Sequence, residues 1–148
     1  MAIVSVTTTQ GAVSPEVWVP LAEELATLTY EAEGFAGSAV APTVCWTFLD
    51  ERPRHAFSTG AGDPAAALYY VEVTVLSGSV DKSGKHKLGE AITLALLARE
   101  GVPATAENLN RVWVRFSEIA DGDLIVGGES TSLAGLKELI AQGVAVRG

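Results

Sequence analysis

Two stretches of this chain run through the same order of patterns, and that duplication restricts the fold more than any other feature. Ile3 to Thr9 alternates β-branched residues with Ser and Thr and reads as a strand. Gly11 ends it. Ser14-Pro15-Glu16 then predicts a helix start: Ser as N-cap, Pro in the first turn, an acid near the positive end of the dipole. Val17, Leu21, Leu25 and Leu28 share one helical face, and the helix should fade near Glu33-Gly34. Pro20 lies close enough to the start to be tolerated. Thr43 to Leu49 reads as a returning strand, and His55 to Thr59 as a short extra one.

Gly60-Ala61-Gly62-Asp63-Pro64 is a joint, after which the order repeats. Leu68 to Leu76 is a strand. Asp81 caps a helix whose face is Leu88, Ile92, Ala95 and Leu96, and Gly101 ends it. Gly84 and Gly89 weaken its first turns by about 1 kcal/mol each. Arg111 to Ile119 is the second returning strand, and Leu124 to Val126 before Gly127-Gly128 opens a hairpin. Leu133 to Gln142 is a last amphipathic helix, followed by the tail Val144-Ala145-Val146. A strand, a crossover helix and a returning strand form a parallel pair. Two such units side by side predict an α/β (α+β) fold with a four-stranded sheet and both helices on one face. The expected organisation is one domain over 1–148, with a pseudo-repeat 1–62 and 66–130 and a C-terminal helix and tail over 131–148.

The other face of the sheet needs a cover as well, because its strands also carry apolar residues. Hydrophobic residues make up 48% of the chain and the mean hydropathy is +0.28, which is rich for a small monomer. Neighbouring subunits are the expected cover. No run of about 18 apolar residues crosses a membrane. The start Met-Ala-Ile-Val-Ser-Val lacks the basic segment of a secretory signal, which predicts a cytoplasmic chain.

Charge narrows the partners. The net charge is −8, and residues 1–51 hold seven acids with no Lys or Arg. Such a surface repels phosphate backbones, so nucleic acid is not an expected partner. One cysteine and two histidines cannot supply a zinc-finger ligand set, and Cys45 in its apolar run reads as a buried structural thiol. Gly127-Gly128 lacks the strand–GxGxxG–helix context of a dinucleotide site. No metal or cofactor is expected.

The segment Tyr70-Val71-Glu72-Val73, the helix from Asp81 to Glu100, and Asn110-Arg111-Val112-Trp113-Val114-Arg115-Phe116-Ser117-Glu118-Ile119 with Gly127-Gly128-Glu129 resemble the tautomerase superfamily. Pro42-Thr43-Val44-Cys45-Trp46-Thr47-Phe48 and the Ser14-Pro15 start repeat the likeness more faintly. The doubled arrangement is similar to the cis-3-chloroacrylic acid dehalogenase and malonate semialdehyde decarboxylase branches. The resemblance implies a homotrimer and a small carboxylate ligand. It also implies a catalytic amino-terminal proline, a secondary amine whose pKa is lowered in an apolar pocket. This chain has Ala2 there, and with Met1 in place the Ala2 nitrogen is an amide without base chemistry. The positions matching the dehalogenase arginine pair hold Ser77 and Val80. Its tyrosine falls on Arg115, its glutamate near Val126 and its histidine near Thr29.

Candidate site residues follow from this comparison. Ala2, Trp46, Tyr70 and Arg115 are the expected substrate-binding set, and Arg115 and Glu118 are the catalytic candidates. Arg115 has two readings: a holder of a carboxylate or enolate through its planar fork, or an ion pair at a subunit interface. Arg111, Trp113, Arg115 and Ser117 should share one strand face. Glu118 has a structural reading, and Trp46 and Trp113 read as packing anchors at matching places. His55 beside Arg52 and Arg54 suits either a base near an anion site or a solvated loop. His86 among Lys82, Lys85 and Lys87 reads as an exposed helix face. Two functions stay open: an isomerase or lyase acting on an unsaturated or keto acid through a non-standard site, and a non-catalytic binding or structural protein.

Overall fold

The computed structural model describes residues 1–143 of the chain. The tail Val144-Ala145-Val146 lies outside the described residues. Strand β1 (Ala2–Thr9) leads into helix α1 (Pro15–Ala32), and strand β2 (Cys45–Arg52) returns parallel to β1. Strand β3 (Tyr69–Leu76), helix α2 (Lys82–Glu100) and strand β4 (Val112–Ile119) repeat the motif, with β4 parallel to β3. A four-residue helix α3 (Ala106–Leu109) precedes β4. Strands β5 (Ile125–Val126) and β6 (Glu129–Ser130) form a small hairpin, and helix α4 (Leu133–Ala141) closes the described chain. The sheet order is β2-β1-β3-β4, and β1 and β3 run antiparallel at its centre.

The repeat is regular. β1, α1 and β2 start at residues 2, 15 and 45, while β3, α2 and β4 start at 69, 82 and 112, a constant shift of 67. The caps obey it too. The Ser14 side chain accepts from the Val17 amide, and the Asp81 side chain accepts from the Gly84 amide at 2.7 Å. Gly84 is where it must be: a Cβ there would meet Val80 Cγ1 at 2.9 Å.

The core lies between the helices and one sheet face. Val4, Val6, Val71 and Val73 on the central strands, Leu21 and Leu25 on α1, and Ile92 on α2 are each 0% exposed. Each such side chain contributes about 1.5–3 kcal/mol by leaving water. Thr29 shares this burial, its hydroxyl donating to the Leu25 carbonyl at 2.7 Å.

The opposite face differs from the expectation. Its central positions are mostly polar (Ser5, Thr7, Glu72, Thr74, with Tyr70 among them), and its tryptophans stand on the two edge strands. Trp46 and Trp113 are 62% and 70% exposed, so they do not anchor the chain's own core. One end of this face is covered from within: Leu136 of α4 packs with Leu76, Phe35, Ala41 and Val44, against Met1 and Ile119.

Two local expectations fail for the same reason, a proline that starts a 3-10 turn. Pro42 opens the turn Ala41–Val44, so β2 begins at Cys45 and runs on to Arg52. Pro53 precedes the turn Arg54–Ala56, where the short strand His55 to Thr59 was expected. The segment's amides bond locally, Ala56 to Pro53 and Phe57 to Arg54, and Thr59 makes only an isolated bridge with Gly62. Among the described residues no helix is long and apolar enough to cross a membrane.

Burial separates neighbours on α2. Ile92 is 0% exposed and Leu94 44%. Ile92→Ala should therefore cost about 2–5 kcal/mol in urea unfolding, and Leu94→Ala about 0.5 kcal/mol or less.

Candidate functional site

Strand alternation assigns every candidate to one side of the sheet. On the open face Tyr70 pairs with Trp113, and Glu72 with Arg115, across β3 and β4. Glu72 accepts a hydrogen bond from the Ser117 hydroxyl at 3.1 Å and lies 3.9 Å from the Arg115 guanidinium. The Tyr70 hydroxyl, and after it Glu72, hold that guanidinium above its ordinary value. On the far edge Trp46 and Phe48 meet edge to face, ring centres 6.4 Å apart. Between the edges a polar cavity of about 700 Å³ opens over Ser5, Thr7, Asp50, Arg52, Tyr70 and Glu72, walled by Phe57.

The expected set is only partly brought together. Tyr70 and Arg115 are neighbours. Trp46 is on the same face, but β2 and β4 are opposite edges, three strand spacings or about 14 Å apart. Ala2 faces the helices and is 2% exposed. Glu118 also points to the helix side, where its carboxylate accepts from Lys85 of α2 at 3.0 Å. That ammonium holds Glu118 below its ordinary value. Arg111 leaves the expected strand face altogether. It precedes β4, and its guanidinium donates to both oxygens of Glu100 at 3.1 Å, to Asn108 and to the Ala67 carbonyl. His55 and His86 are exposed. Among the described residues no group of His, Cys, Asp and Glu is placed to hold a metal ion.

The amino terminus holds an arrangement that sequence reasoning missed. The Met1 ammonium donates to Glu33 at 3.2 and 3.4 Å, and the Glu33 side chain is 0% exposed. Burial pulls this amine below its ordinary value, while Glu33 opposes the shift. Cys45 is close by. Burial, with the Glu33 charge behind it, pushes the thiol up to about 12, and its Sγ faces the Ala26 carbonyl at 3.8 Å. The one signal for Glu33 is the repeat itself, since 67 residues on stands Glu100.

No family model matches the chain, and no curated protein matches it in sequence. Solved structures do match in shape. N1, a member of the cis-3-chloroacrylic acid dehalogenase family, superposes with a TM-score of 0.76 at 18% identity, over 94% of this chain and 90% of that one. A fused 4-OT wild-type asymmetric trimer gives 0.70 at 22% identity, over 91% and 98%. A macrophage migration inhibitory factor-like protein from Entamoeba histolytica gives 0.65 at 14%, over 88% and 98%. The chain has the tautomerase-superfamily fold.

A thiol pushed to about 12 in a site this buried is unreactive. Cys45 should resist an aromatic disulfide reagent at pH 8 in the native protein and react within minutes once urea unfolds it. Native labelling at the unfolded rate would contradict the buried placement.

Proposed function

We propose that this tautomerase-fold chain assembles as a homotrimer and binds a small unsaturated or keto carboxylic acid without proline-dependent turnover. The observation that carries the reading is the residue at the start of β1: proline-dependent chemistry needs a secondary amine there, and the chain has Ala2. The trimer rests on the open sheet face, whose exposed Trp46, Phe48 and Trp113 sit on the edges where a second copy would approach. The fused 4-OT neighbours, described as trimers, support it by likeness of fold. Arg115 is the proposed holder of the carboxylate, because its fork is 65% exposed and only loosely paired with Glu72. Tyr70 and Trp46 complete the proposed surroundings, with Trp46 supplied by a neighbouring copy, whereas Ala2 faces the helices and lies outside them. Glu118 is assigned a structural role through Lys85.

A second reading has its own observation. The open-face cavity brings Asp50, Glu72, Arg52 and Tyr70 to one polar hollow. That combination could serve an isomerase or lyase acting through a non-standard acid–base pair.

A phenylenolpyruvate or 2-hydroxymuconate assay separates the two. The chain should give enol–keto conversion no faster than buffer, and Ala2→Pro with Met1 removed, as checked by intact mass, should raise it. Conversion by the unaltered chain that is lost on Glu72→Gln would establish the second reading instead.

Arg115 is tested by calorimetry with pyruvate alongside sedimentation. Arg115→Ala should leave a trimer and reduce carboxylate affinity about 30–1,000-fold, the loss expected for a charge-assisted bond of roughly 2–4 kcal/mol. A monomer, or unchanged affinity, would assign Arg115 to an interface ion pair.

A further inference from the structure

The shift of 67 residues gives the chain two edges of the same shape. A hollow of about 550 Å³ lies between α1 and β2, and one of about 600 Å³ between α2 and β4. They are the same place in the two units. Val19, Ala22, Glu23 and Thr47 line the first, and His86, Gly89, Glu90 and Val114, each 67 residues on, line the second. β2 and β4 are also the outer strands of the sheet, each paired on one side alone among the described residues. Seven large hydrophobic side chains are exposed among those residues, and six of them stand at these edges: Val19, Trp46 and Phe48 at one, Leu94, Leu109 and Trp113 at the other. Apolar surface gathered along two unpaired edges marks a contact with another chain.

The edges match in shape but not in charge. Helical spacing puts Glu16 and Glu23 on the outer face of α1 with Val19, and β2 adds Asp50 and Glu51 against one cation, Arg52. The α2–β4 edge carries Lys82, Lys85, His86 and Arg115 against Glu90 and Glu118, so its balance is positive. Three copies of such a chain can close a ring in two ways. Every α1–β2 edge can meet the α2–β4 edge of the next copy. With one copy turned over, one junction joins two α1–β2 edges and another joins two α2–β4 edges. Shape permits both, but the second sets acid against acid and cation against cation.

We infer that the copies join head to tail, the acidic α1–β2 edge of each against the basic α2–β4 edge of the next, so that every Arg115 faces a neighbouring edge that carries Trp46 and the three sites are alike. This rests on the proposed trimer and adds its polarity. A turned-over copy would leave one junction with two Trp46 and no Arg115, and another with the reverse.

Reversing charge on one edge and then on both tests it, read by sedimentation over a range of concentrations at pH 7. Glu16→Lys with Glu23→Lys alters the first edge. Lys82→Glu with His86→Glu alters the second and spares the Lys85–Glu118 pair. Circular dichroism checks that each variant is folded. In about 20 mM salt each double variant should raise the midpoint concentration for dissociation about ten-fold or more, and in about 0.5 M salt about three-fold or less. All four changes together should return it to within about three-fold of wild type, because acid again faces cation. No recovery in the fourfold variant, or no effect of either double variant, would overturn the polarity while leaving a trimer standing. A wild-type monomer at every concentration would overturn the trimer itself and this inference with it. Should a variant fail to fold, the unaltered protein decides. A carbodiimide that joins carboxylates to lysines, applied to mixed ¹⁴N and ¹⁵N copies, should link acids of residues 16–51 to lysines of residues 82–87 between copies. Absence of such links would overturn the inference.

Discussion

The antiparallel ladder between β1 and β3 is the seam on which the rest of the molecule depends. It joins two parallel strand–helix–strand units, and its helix-side residues Val4, Val6, Val71 and Val73 are wholly removed from water. Both helices must then lie on that side to cover them, which leaves α1 and α2 in contact and β2 and β4 at opposite edges. The consequence for function is geometric. Residues that the repeat places at matching positions, such as Trp46 and Trp113, are held a full sheet width apart and cannot meet within one chain. An open-face site that uses both edges therefore calls for a second copy, whereas Tyr70, Glu72, Arg115 and Ser117 form a local group on two adjacent strands.

What could be read from the sequence was what short-range chemistry determines. Ser14-Pro15 and Asp81 capped the two long helices as expected, and the faces Leu21–Leu25 and Leu88–Ile92–Leu96 are buried. α2 includes Gly84 from its first turn, where the missing Cβ lets Val80 approach beneath the cap. The failures came where a local signal was overruled or concerned direction. Pro42 and Pro53 turned apparent strand residues into 3-10 turns. Arg111 was counted with the strand, yet it sits one residue before β4 and turns toward the end of α2. The matching places of Trp46 and Trp113 argued for packing anchors, but strand alternation put both on the uncovered side. Glu33 was illegible for a different reason: its partner is 32 residues away and is a backbone amine, which no side-chain pattern reveals.

Electrostatics follows the division of the chain. Every Lys and Arg lies from Arg52 onward, so the ion pairs of the second unit are made within it: Lys85 with Glu118, Arg111 with Glu100, Arg115 with Glu72. One pair crosses the helix interface, Arg99 of α2 with Glu24 of α1 at 3.0 Å. Both partners are about 40% exposed, and such a pair contributes roughly 0–1 kcal/mol. The buried pairs differ in kind. Their desolvation cost roughly cancels their attraction, so they add little while intact and cost several kcal/mol when one partner leaves.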